Sequence, residues 1–99
     1  MSFAKHKALD ELHSALSEKV DLLVEAFIGR TARKQPIKTF VVETKATTDT
    51  KKIETYLEAE RDRLVAMSKN TFADCPDIKN IVDEMIAEIN KTLYLCRLS

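Results

Sequence analysis

Apolar residues recur along the first part of the chain at helical spacing. Taking ~100° per residue from His6 as zero, Ala8, Leu9, Leu12, Ala15, Leu16, Leu23, Ala26 and Phe27 gather between about 180° and 300°. This predicts an amphipathic helix over 2–28, with Gly29, the one glycine of the chain, as its left-handed stop. From 30 to 49 the pattern breaks around Pro36, and the β-branched run Thr39-Phe40-Val41-Val42 has strand character but no second run to pair with. The segment is therefore expected to be an ordered crossover. Its ~20 residues can span a first helix ~40 Å long, so that the next helix runs parallel to the first. That second helix is expected over 50–70, with Ile53, Tyr56, Leu57, Leu64 and Met67 on its apolar stripe. A third is expected over 76–97: Asp74 or Cys75 can cap it, Pro76 fits its first turn, and Asp77 complements the positive end of its dipole. Ile78, Ile81, Val82, Met85, Ile86, Ile89, Leu93 and Cys96 form its core face, and the short turn over 71–75 makes the last two helices antiparallel neighbours. The expected fold class is all-α, as a single domain over 1–99.

The first helix has a second face. His6, Asp10, Asp21 and Glu25 lie between about 0° and 100°, beside Ser14, Ser17, Val24 and Ile28. Asp10 and Asp21 are about 16 Å apart along one helix, too far to share an ion. However, the midpoint of 6 and 25 is also that of 10 and 21. Two antiparallel copies crossing near Ala15 and Leu16 would set His6 opposite Glu25 and Asp10 opposite Asp21, giving two equivalent four-ligand sites. Such oxygen and nitrogen donors suit Fe(II), Mn(II) or Zn(II). The plain alternative is a solvated helix face, since charges at i, i+4 are common on exposed helices. His13 adds an i, i+4, i+7 line with His6 and Asp10, but a straight helix does not close around one ion over two turns, so His13 is placed outside the ligand set. The helical di-iron pattern Glu-x-x-His is absent, and the last two helices carry no histidine. Glu60, near the middle of an apolar stripe, is expected to pair with a Lys or Arg.

Composition narrows the classes. With 99 residues there is room for one modest core, which oligomerisation would help to stabilise. Sixteen basic and 16 acidic residues cancel, so no global field draws the chain to nucleic acid or to an anionic membrane. No apolar stretch approaches the ~20 residues of a membrane span, and no secretory signal is legible. Cys75 and Cys96 lack C-x-x-C spacing, which fits a reducing compartment without a disulfide. The basic group Arg30, Arg33, Lys34 and Lys38 has no interleaved aromatics or Gly-rich cradle and reads as a solvated loop. Ser14 and Ser17 near His13 are ordinary helix-surface residues, so hydrolase chemistry has no support.

In the string His6-Lys7-Ala8-Leu9-Asp10 followed by Asp21-Leu22-Leu23-Val24-Glu25, spaced as H-x3-D-x10-D-x3-E, the chain resembles the Dps-like miniferritins of the ferritin-like superfamily. The resemblance implies three long helices of a ferritin-like bundle with a long crossover between the first and second, completed by oligomerisation or a partner. It also implies iron bound at a two-fold interface by His6, Asp10, Asp21 and Glu25, with ferroxidase activity; zinc or manganese would satisfy the same donors. The runs Ser2–Leu12 and Ile89–Leu95 are similar to small ferritin-like proteins of phages and large viruses, which implies a viral protein in the host cytoplasm or the virion. The chain departs from the family at its start. Family members carry a preceding helix ending in a His-Trp pair, whose histidine is a further ligand, and this sequence begins after the place of that pair. The Lys-rich terminal tail by which some relatives bind DNA is also absent.

Two function classes follow. One is a cytoplasmic homo-oligomer with two-fold contacts through the first helix that binds and oxidises a divalent metal. The other is a non-catalytic structural or partner-binding protein, a viral assembly component that keeps the scaffold and receives a partner helix in the groove left by the missing first helix.

Overall fold

The computed structural model describes residues 3–31 and 50–98, and these are all-α. The helices are α1 (Phe3–Thr31), α2 (Thr50–Ala66) and α3 (Pro76–Leu98), with a π-helical turn over Met67–Thr71 continuing α2. Of the crossover expected over 30–49, residues 30 and 31 belong instead to α1, and 32–49, with the Thr39–Val42 run, lie outside the described residues.

The apolar stripes explain the packing. Ile78, Val82, Met85, Ile89 and Leu93 of α3 are at most 1% exposed, because α3 is the element on which both other helices lie. From α1 come Ala8, Leu12, Leu16 and Leu23, and from α2 come Leu57 and Leu64. The rest of the α1 stripe, Leu9, Ala15, Ala26 and Phe27, is half-buried at its margins. α1 and α2 each pack along α3 rather than against one another. Cross-helix pairs set the directions. The end of α1 meets the start of α3 through Arg30 and Asp77, while Lys19 pairs with Glu84 further along. The π-helical turn after α2 meets α3 through Ser68 and Asp83, and the middle of α2 meets the last turn of α3 through Glu58 and Arg97. Both helices are thus antiparallel to α3 and parallel to each other. The long dimension of 44 Å is close to the ~43 Å of a 29-residue helix.

Three local features differ from the sequence pattern. Gly29 does not stop α1, which runs on to Thr31, and Gly29 has no left-handed backbone angle. Beyond it, Arg30 pairs with Asp77 and ties the last turn of α1 to α3, a contact that the helix must pass through Gly29 to make. Regular α2 ends at Ala66, and Phe72 N–H donates to Met67 C=O at 2.9 Å, closing a wider turn. In unbroken α register Phe72 would lie ~80° around the helix from Leu64; the extra residue in the turn rotates it back by ~100°, close to the same line. Phe72 is accordingly a core residue, 8% exposed. Tyr56, placed on the α2 stripe by its spacing, is 38% exposed at the stripe's edge.

At the start of α3, Lys79 N–H donates to Cys75 C=O at 2.8 Å, which makes Cys75 the capping position. Cys75 and Cys96 are both free, and ~31 Å of helix separates them, beyond the reach of any bridge. Among the described residues no helix is long and apolar enough to cross a membrane.

Candidate metal-binding face of the first helix

The face of α1 that bears His6, Asp10, Asp21 and Glu25 points away from α3. It lies roughly opposite the buried line of Leu12, Leu16 and Leu23, because the two sets differ by about half a turn on the helix. All four side chains are exposed. His6 Nε2 stands 3.5 Å from Asp10 Oδ2, one helical turn on, and the two side chains are 69% and 73% exposed. A cation between an imidazole nitrogen and a carboxylate one turn apart needs little rearrangement. Asp21 and Glu25 have the same i, i+4 relation about three turns further along, ~16 Å from Asp10.

One chain therefore supplies two pairs of donors, each pair one helical turn apart, and holds the two pairs about three turns from each other. Among the described residues no group of three or more His, Cys, Asp or Glu converges within a single chain. The donor chemistry fits a hard or borderline divalent ion, and the count fits only if a second chain completes each pair. His13 is exposed on α1. Glu60 ion-pairs with Arg63, as its position on an otherwise apolar stripe requires.

The electrostatically organised groups lie elsewhere. At the π-helical turn, buried Ser68 donates through Oγ to Asp83 Oδ1 at 2.5 Å and accepts from Lys79 Nζ at 3.0 Å, while Lys79 also reaches Asp83 Oδ2 at 3.1 Å. The Ser68 hydroxyl, and then the Lys79 ammonium, hold the Asp83 carboxyl below the usual carboxylate range. The sequence signal for this cluster was the i, i+4 pair Lys79 and Asp83; nothing local pointed to Ser68, which reaches them only across the α2–α3 turn. Lys19 donates to Glu84, which raises the lysine pKa and lowers that of the glutamate. Burial pushes the Cys96 thiol up, so it is not a poised nucleophile. With a charged ammonium and a carboxylate on Ser68, and only 3% of that residue exposed, this cluster joins helices rather than presenting a reactive hydroxyl.

No curated protein and no solved structure matches the chain. One family model does, over residues 1–96, and its description is "Family of unknown function (DUF5856)". Because the match spans nearly the whole length, the chain belongs to this family.

Proposed function

We propose that this protein is a ferritin-like oligomer that binds iron or another divalent ion between two copies of α1. His6 and Asp10 of one copy act with Asp21 and Glu25 of the other, and a two-fold axis near Ala15 and Leu16 repeats the site. The observation that carries the reading is the placement of both donor pairs on the exposed face of α1, with His6 and Asp10 already 3.5 Å apart.

The chemistry follows from the donors. Three carboxylates favour the higher charge of Fe(III) over Fe(II), so the site would lower the barrier to losing one electron from each Fe(II) substrate to a peroxide or dioxygen acceptor. Metal-free, the same carboxylates repel across the axis, so ion binding would strengthen the contact between copies.

Isothermal titration of Fe(II) under anaerobic conditions, or of Zn(II), tests the site. Asp21→Ala combined with Glu25→Ala should abolish binding; unchanged affinity and unchanged Fe(II) oxidation in this double variant would remove the proposal. The competing reading is a non-catalytic structural protein that keeps the helical scaffold and docks a partner helix. It is favoured by the exposure of all four donor side chains, the arrangement of an ordinary solvated helix face. Metal-independent assembly with no bound metal would select it.

A further inference from the structure

The outward face of α1 carries more than the four donors. Phe3 is 82% exposed and Ile28 40% exposed, two large apolar side chains at opposite ends of a face whose other apolar residue is the half-buried Val24. Both fall within the same ~100° arc as His6 and Glu25. Under the two-fold relation that pairs His6 with Glu25, Phe3 of one copy meets Ile28 of the other, at both ends of the contact. At the centre Ser14 meets Ser17, and these small side chains allow close approach of the helices. The pairing is complementary in kind: apolar with apolar, small with small, imidazole with carboxylate. Lys7 opposite Val24 is unmatched in kind, and Asp10 opposite Asp21 is the like-charge exception, where a cation is called for.

We infer that Phe3 and Ile28 form a pair of apolar clamps that dock a second copy of this chain on the α1 face without metal, and so position the shared donor site. The inference rests on the two-fold reading above and adds the residues that align it. It also fixes the crossing geometry. Phe3 and Ile28 each lie ~19 Å from the crossing point, so with helices ~9 Å apart a ~20° crossing shifts the paired ends sideways by ~7 Å and leaves their axes ~11 Å apart, whereas ~50° shifts them by ~16 Å and leaves the axes ~18 Å apart. Only the shallow, antiparallel crossing lets the clamps close.

Sedimentation equilibrium of the full chain in excess chelator, then with Zn(II), tests this. Wild type should dimerise in chelator at micromolar to tens-of-micromolar concentration. Phe3→Ser combined with Ile28→Ser should weaken the dimer by about 100-fold or more, since four apolar side chains per dimer lose their burial. Tyr94→Ser, which removes another exposed apolar side chain on the far face of α3, should leave the dimer unchanged. Circular dichroism should show all variants equally helical, because Phe3 and Ile28 are outside the core. A wild-type chain that is monomeric in chelator, or a dimer indifferent to the clamp variants, overturns the inference. If Zn(II) alone produces the dimer, the metal reading stands and the clamps fall; if the chelated dimer depends on the clamps and takes up no Zn(II), the clamps stand and the metal reading falls.

Discussion

Arg30 in the last turn of α1 donates from Nη2 and Nε to Asp77 Oδ1, at 2.9 and 3.3 Å, in the first turn of α3. Each charge sits at the end of its own helix where the dipole favours it, and the pair ties the two ends together. The guanidinium holds the Asp77 carboxyl below its ordinary value, and the carboxylate raises the pKa of Arg30. A depressed folded pKa contributes stability that is fully present above the unfolded value of ~3.9 and is lost as pH falls through the folded one. A carbon-detected NMR titration should place the Asp77 midpoint below ~3.9, and Arg30→Ala should move it back towards that value. The pair is exposed, so salt should diminish the difference between the two proteins.

Gly29 offers a stabilising change. It lies inside α1, takes no left-handed angle, and a Cβ there would meet nothing within 4 Å. Gly29→Ala should therefore raise unfolding free energy by about 0.5–1 kcal/mol in urea denaturation. A destabilised variant would show that the helix does not pass through this position in solution.

Ser68 joins the π-helical turn to α3 through Asp83 and Lys79. Ser68→Ala removes a buried hydroxyl bonded to two charged groups and should cost about 1.5–3 kcal/mol in the same assay. It should also move the Asp83 midpoint upward, because the hydroxyl is the largest influence lowering it. The double change Ser68→Ala with Asp83→Asn should cost less than the sum of the singles, as expected for partners in one cluster.

Sharing of the donor pairs between chains has a signature of its own. Asp10→Ala and Asp21→Ala should each abolish Zn(II) binding when pure. Mixed after unfolding and refolding, they form heterodimers in which one site lacks both aspartates and the other is complete. With random pairing, about half of the dimers are mixed and each regains one of two sites, so about a quarter of wild-type capacity should return. No recovery in the mixture would exclude ligands contributed by two chains.

The helical class, the apolar stripes of α1 and α3 and the start of α3 were legible in the chain because they depend on local periodicity and capping. Leu12, Leu16, Leu23, Ile78, Val82, Met85, Ile89 and Leu93 lie in the core where their spacing put them. The two-donor spacing of His6 and Asp10 was legible for the same reason, one helical turn apart. Tertiary structure alone decided the rest. A glycine ends a helix only when nothing beyond it gains by staying helical, and here the Arg30–Asp77 contact lies beyond it. Phe72 enters the core because a π-helical turn rotates it into line, a change of register that no periodic pattern encodes. Ser68 finds Asp83 and Lys79 only after α2 and α3 fold back on each other, since those partners are 15 and 11 positions away in sequence. Local sequence sets which face of each helix is apolar, because that is a property of spacing; which groups meet depends on how the helices are laid together, because that balances contacts distant along the chain.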